Sequence, residues 1–261
     1  SVRRSMMTGL VFGRTDAEVD ERLSLYGASS REELHGIIIG TGPEIADQLA
    51  AILADKPDHL IVLPLYPQYS STTSASVFDA VIDSLKARMA IPGLTWIRDF
   101  HHHPLYIKAI ADSIRAAWAE HPPADKLVFS FHGLPKLLID RGDPYFEQCH
   151  TSARLIAEHL KLPESRWEVV FQSRFGKAEW LKPYCVDTLI AYPGQGVKSV
   201  DILCPGFSVD CLETLEEIAL ANRDEFIEAG GEHYRYIPCL NDSEAHLALF
   251  EDLLNAHLAG H

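Results

Sequence analysis

The sequence has no C-x-x-C pair, no Walker-type phosphate loop and no excess of positive charge. Its five cysteines stand far apart at positions 149, 185, 204, 211 and 239. An odd number at wide spacing gives no disulfide framework and no zinc or iron–sulfur ligand set, so reduced, mostly buried thiols of a cytosolic protein are expected. Lys and Arg total 23 against 37 Asp and Glu, a net charge of −14. An acidic surface cannot neutralise many phosphates, which argues against nucleic acid as a partner, and it disfavours electrostatic docking on anionic lipid. No stretch approaches the roughly 20 apolar residues that span a bilayer, and no apolar signal core opens the chain, so no transmembrane segment is expected.

What is present is an ordinary globular composition, with 47% hydrophobic and 23% charged residues over 261 positions. That length suits one or two domains. Short apolar runs alternate with amphipathic stretches. Strands are expected at 60–63, 93–97, 127–131, 168–171, 200–204 and 234–238, with helices at 75–89, 106–119, 152–160, 212–228 and 243–256. Continuous apolar strands separated by helices require a parallel sheet covered on both faces, so the fold class is α/β. No internal repeat, low-complexity segment or long linker divides the chain. The opening 35 residues carry only a weak helical signal at 16–25.

Several strand ends carry candidate chemistry. Gly40-Thr41-Gly42 lacks the third small residue of a dinucleotide loop. Ser130-Phe131-His132-Gly133-Leu134-Pro135 closes an apolar strand, where parallel sheets present their ligand crevice. His132 there either takes protons and binds a metal or only bonds a loop carbonyl. The segment Cys204-Pro205-Gly206-Phe207-Ser208-Val209-Asp210-Cys211-Leu212-Glu213 runs into a helix. Asp210 and Glu213 have the spacing of a capping box, while Glu213 and Glu217 share one helix face. Phe171-Gln172-Ser173-Arg174-Phe175-Gly176-Lys177 leads to Trp180 and mixes aromatics with cations, which suits a flat anionic ligand or an ordinary surface loop. Leu65-Tyr66-Pro67-Gln68-Tyr69-Ser70 precedes a Ser/Thr cluster that either binds an anion or caps a helix. Three consecutive histidines, 101–103, spread around any regular element, so at most two can share an ion.

Together these segments resemble the ferrochelatases, which insert Fe²⁺ into a porphyrin, and in particular the proteobacterial ones. The resemblance rests on Leu63-Pro64-Leu65-Tyr66-Pro67-Gln68-Tyr69-Ser70, Ile97-Arg98-Asp99, Ser130-Phe131-His132-Gly133-Leu134-Pro135, Gly142-Asp143-Pro144-Tyr145, Phe171-Gln172-Ser173-Arg174-Phe175-Gly176, Trp180-Leu181-Lys182-Pro183-Tyr184 and the stretch from Cys204 to Glu217, in the family's order. It implies two similar Rossmann-like domains with parallel sheets, one from 1–100 plus 241–261 and one from 101–240. It assigns His132 and Glu213 as the catalytic pair, with Glu217 beside them as metal ligand. Tyr66, Gln68, Ser70, Arg98, Arg174 and Trp180 become porphyrin-binding residues. The implied activity is haem biosynthesis by a lyase whose substrates are protoporphyrin and ferrous iron, with weak peripheral membrane contact left open. Residues 1–43 lack the family's opening strand and glycine-rich turn, which makes the first domain read as incomplete and offers an alternative, a non-catalytic porphyrin- or haem-binding remnant. A cobalt chelatase for a less oxidised tetrapyrrole is a third reading. The cysteines that hold a [2Fe–2S] cluster in some members are absent, so no cofactor is expected. Position 221 is Ala, so a carboxylate ladder beyond Glu217 stops there.

Overall fold

A computed structural model describes residues 37–38, 43–174 and 177–258. The helix expected at 16–25, the Gly40-Thr41-Gly42 turn and Phe175-Gly176 lie outside them. The described chain divides into two compact units. One takes Ile37 to Leu65, Ser71–Asp99 and the chain from Leu249 onward; the other takes Tyr66–Ser70 and Phe100–Ala248.

The first unit is built on a three-stranded parallel sheet of order β1-β2-β3, from Ile37–Ile38, His59–Val62 and Gly93–Trp96. Leu60, Ile61 and Val62 are all buried, as a strand covered on both faces demands. Helix α1 (Pro43–Ala54) contributes Ile45, Leu49 and Leu53 to this core, and helix α2 (Ser74–Lys86) contributes Val77, Val81 and Leu85. Both triplets repeat at four residues, the spacing of one helical face. The Ser/Thr run before α2 does not cap it: Thr73 stands at the N-cap position without a side-chain hydrogen bond to the helix.

The second unit holds a four-stranded parallel sheet of order β5-β4-β6-β7, from Trp167–Gln172, Lys126–His132, Ser199–Leu203 and His233–Tyr236. Around it lie helices α3 (Pro104–Glu120), α4 (Lys136–Asp140), α5 (Tyr145–Leu160), α6 (Cys185–Ala191), a π-helix (Glu213–Ala221) and α7 (Asn222–Glu228). Helix α8 (Glu244–Leu258) closes the described chain, and its residues from Leu249 on belong to the first unit. Val128, Val170, Leu189, Val200, Ile202, Ile218 and Phe226 form one core cluster with Cys185, Cys204 and Cys239. Each such large apolar side chain contributes about 1.5–3 kcal/mol on full burial.

Helix α5 begins seven residues before the expected start at 152, and the helix expected across 212–228 is a π-helix that passes into α7. No helix among the described residues is long and apolar enough to cross a membrane.

Candidate active site

The order of the four-stranded sheet decides where the site falls. Strand β5 lies on one side of β4 and β6 on the other, so the connections leaving β4 and β6 diverge and open a crevice at their carboxyl ends. His132 is the last residue of β4, and the loop after β6 leads to Glu213.

Gly133 turns the chain away from His132. Its N–H donates to the Gln172 carbonyl at 2.8 Å. A Cβ at position 133 would stand 2.7 Å from that oxygen and 3.2 Å from Cε3 of Trp180, so only glycine lets the ends of β4 and β5 approach this closely. His132 Nδ1 lies 2.7 Å from the Gly133 carbonyl oxygen. A carbonyl only accepts, so Nδ1 carries the proton and Nε2 keeps its lone pair. Nε2 is shielded from solvent and has no hydrogen-bond partner among the described residues. Burial holds the His132 pKa below the ordinary histidine range, against the opposing pull of the Gly133 carbonyl, Glu217 and Glu213. The imidazole is therefore neutral near pH 7 and able to take a proton or a metal ion. The loop-carbonyl reading of His132 is realised on Nδ1, while Nε2 keeps an uncommitted lone pair.

The π-helix supplies the carboxylates. Its closing bond runs from the Asn222 N–H to the Glu217 carbonyl, five residues back. This wider winding keeps residues four apart close to one line. Glu217 Oε1 accepts from the Ser173 N–H at 2.7 Å and Oε2 from its hydroxyl at 2.5 Å. Ser173 adopts a left-handed conformation with φ of 63°, the turn that aims both donors at one carboxylate. Gln172 holds the start of the same helix: its Nε2 donates to the Glu213 carbonyl at 2.9 Å, while its Oε1 accepts from the Ser130 hydroxyl at 2.8 Å. One buried amide thus ties β4, β5 and the first π turn together. His132, Glu213 and Glu217 interact electrostatically, yet they do not bring three donor atoms within 4.8 Å of one another.

The capping-box reading is corrected here. Leu212 stands at the N-cap position with no side-chain cap, and Thr214 makes the reaching-back contact, its Oγ1 accepting from the Cys211 N–H at 3.0 Å. Asp210 is occupied elsewhere. Its Oδ1 accepts from the Tyr236 hydroxyl at 2.6 Å and its Oδ2 from Asn241 Nδ2 at 2.8 Å. Burial raises its pKa, but hydrogen bonds from Asn241, Tyr236 and Cys239 outweigh that and hold it below the usual carboxylate range.

The remaining predicted residues are placed differently. Gln68 and Ser70 are buried. Gln68 Nε2 donates to Ser152 Oγ at 2.9 Å, and Ser70 Oγ donates to Asp143 Oδ2 at 3.0 Å, so these polar atoms brace the loop against α5. Tyr66 is partly buried, which pushes its phenol up to about 12. Trp180 is buried against Gly133. Arg174 is exposed and stacks its guanidinium 4.2 Å from the Tyr184 ring centroid. Arg98 belongs to the other unit, where it pairs with Asp99 at 2.7 Å. His103 caps α3, its Nδ1 accepting from the Leu105 N–H at 3.3 Å, while His101 and His102 bring their Nδ1 atoms within 3.4 Å. Sequence reasoning left Gln172, Ser173 and Ser130 out of the site. Their signal was a polar Gln-Ser pair closing the apolar run of β5.

The family model for ferrochelatase matches residues 40–258. A ferrochelatase of Methylococcus capsulatus is 56% identical over 207 residues, covering 79% of this chain and 64% of that protein. Those of Vibrio cholerae and Acinetobacter baylyi are 47% and 42% identical, over 90% and 97% of this chain and 73% and 74% of their own lengths. The chain spans less than two thirds of the length of the Methylococcus relative. Among solved structures, SirB from Bacillus subtilis with Fe³⁺ superposes with a TM-score of 0.60 over 95% of this chain and 92% of its own, at 12% identity, which speaks for the fold. With the family model spanning most of the sequence and relatives at 42–56% identity, the chain belongs to the ferrochelatase family.

Proposed function

We propose that this chain inserts Fe²⁺ into protoporphyrin IX to form haem. The observation that carries the reading is the state of His132: Nδ1–H is committed to the Gly133 carbonyl, and a shielded Nε2 lone pair lies in the field of Glu213 and Glu217. Metallation breaks two pyrrole N–H bonds, forms metal–nitrogen bonds and releases both protons, while the incoming ion sheds water. A neutral imidazole suits both needs, as a base near neutral pH and as a ligand for a borderline cation. Glu213 receives the proton or holds the ion beside it, and Glu217, fixed by Ser173, carries the charge one step outward along the π-helix. Exposed Arg174 and Lys177 meet the carboxylates of the porphyrin. Nitrogen and oxygen donors also admit Zn²⁺, so zinc insertion is an expected side activity.

The test is to add protoporphyrin IX and Fe²⁺ under reducing, oxygen-free conditions, or Zn²⁺, and to follow the porphyrin absorbance. The chain is expected to metallate its substrate. His132→Ala and Glu213→Gln should each lower the rate on the order of 10²–10⁴-fold with porphyrin binding retained. Undiminished turnover in either variant would sink these assignments. Porphyrin binding by the unaltered chain without metallation would replace the enzyme with a porphyrin-binding protein.

A further inference from the structure

We infer that Asp210 is a positioning residue that clamps the first turn of the π-helix and so keeps the Glu213 carboxylate beside His132. The inference rests on the proposed roles of His132 and Glu213.

Asp210 stands three residues before Glu213, in a stretch with no side-chain cap to fix the helix start. Its carboxylate collects donors from two directions. From the end of β7 and the loop beyond come the Tyr236 hydroxyl at 2.6 Å, the Cys239 N–H at 3.3 Å and Asn241 Nδ2 at 2.8 Å. From the π-helix comes Thr214, whose Oγ1 lies 3.1 Å from Oδ1. The clasp is reciprocal, because the Asp210 N–H donates to Asn241 Oδ1 at 2.9 Å. Asn241 is itself fixed: it sits in a left-handed turn with φ of 50°, and its carbonyl accepts from His246 Nδ1 at 2.7 Å. The chain of contacts therefore runs from a rigid strand end, through Asn241 and Asp210, to Thr214, a fully buried neighbour of Glu213. Gln172 grips the Glu213 carbonyl from the β5 side. A carboxylate offers about four acceptor sites; here Oδ1 faces Tyr236, Cys239 and Thr214, and Oδ2 takes Asn241. The clasp adds remote partners to the local Cys211–Thr214 contact, and none of its bonds involves the Glu213 side chain, whose neighbour is the Cys211 thiol.

The variants Asp210→Asn and Thr214→Val separate positioning from general stability. Asparagine keeps the shape of the side chain but turns one acceptor into a donor, which then faces either the Tyr236 hydroxyl on the Oδ1 side or Asn241 Nδ2 on the Oδ2 side. Valine keeps the volume of threonine and removes Oγ1, which links the helix to Asp210 and also accepts from the Cys211 N–H. Zinc insertion into protoporphyrin is measured for each variant alone and in the Glu213→Gln background, with folding checked by circular dichroism. The expected result for Asp210→Asn is a kcat lower by about tenfold, the loss of a hydrogen bond to a charged group, with KM for porphyrin changed by less than about twofold. Thr214→Val should fall less and in the same direction. In the Glu213→Gln background neither variant should lower kcat further, since the group they position is already lost. Equal losses in both backgrounds would overturn the inference, as would a raised KM with kcat unchanged. If Asp210→Asn does not fold, Thr214→Val alone decides by the same criterion. Full turnover in Glu213→Gln itself would instead bring down the reading of the site on which this inference stands.

Discussion

Helix α3 and the π-helix lie in the same unit, yet they are held by different means. Helix α3 is secured locally. Pro104 occupies its first turn, His103 accepts from the Leu105 N–H, and Tyr106, Ile107, Ala109, Ile110, Ala111 and Ile114 bury one face. The π-helix has no side-chain cap and buries only Thr214 and Ile218. Leu212, Leu215 and Leu220 along it are exposed. Its position is set from outside by Gln172, by Ser173 and by the Asp210–Thr214 contact. Packing and capping make a stable helix, whereas distant tethers make a helix whose location is defined at the expense of its own cohesion. The proposed meeting of a carboxylate pair with a histidine calls for the second property.

The largest expected effect lies on the packed side. Ile114→Ala should destabilise the unit by about 2–5 kcal/mol in denaturant unfolding, the cost of a core cavity, with the metallation rate per folded molecule unchanged. A matching loss of kcat would mean that α3 and the π-helix share one cooperative role. Next comes acid sensitivity on the tethered side. Burial holds His246 below the ordinary histidine pKa, so the unfolded chain takes up its proton more readily than the folded one. Its contribution is complete above the unfolded value of about 6.5 and is lost as pH falls toward the folded pKa. His246→Gln should make the fall of stability between about pH 6.5 and 5 shallower, by up to about 1.4 kcal/mol per pH unit. His132 and His150 are shifted in the same direction by burial, so part of the slope remains. An unchanged slope would remove His246 from the picture. The smallest effect belongs to the solvent face of α3, where Lys108 pairs with Asp112 at 2.5 Å with both side chains exposed. Lys108→Ala should cost about 0.3–0.5 kcal/mol, and less in high salt.

The strands were legible because their signal is local and apolar: Leu60, Ile61 and Val62 of β2 and the interior of β4 are buried as their runs require. The start of α5 was hidden for a physical reason. Its buried face runs Tyr145, Gln148, Cys149, Ser152, Ala153, Ile156 and Ala157, a regular helical stripe in which Gln148 and Ser152 are polar. Gln148 is inside because its Oε1 accepts from the Tyr69 N–H at 2.7 Å, a partner 79 residues away. Asp210 misled in the same way. Its capping spacing toward Glu213 is a local pattern, and the groups that claim it, Tyr236 and Asn241, stand 26 and 31 residues further on. His132 was legible in position through its strand end, while the split between its two nitrogens needed the Gly133 turn. Residues whose partners are remote show their spacing in the sequence and their role only in the fold.

The cysteines carry a last consequence. Cys149, Cys185, Cys204 and Cys239 are buried, and burial pushes all four thiols above their ordinary pKa, Cys185 to about 12. Only Cys211 is partly open, and burial together with the neighbouring Glu213 raises it to about 11. Thiolate is the nucleophilic and metal-binding form of sulfur, so the raised pKa values lower the reactivity of these thiols at neutral pH. Cys211, the thiol that interacts with Glu213, is also the most accessible one. A slow, single labelling event there would serve as a built-in reporter of the winding of the π-helix.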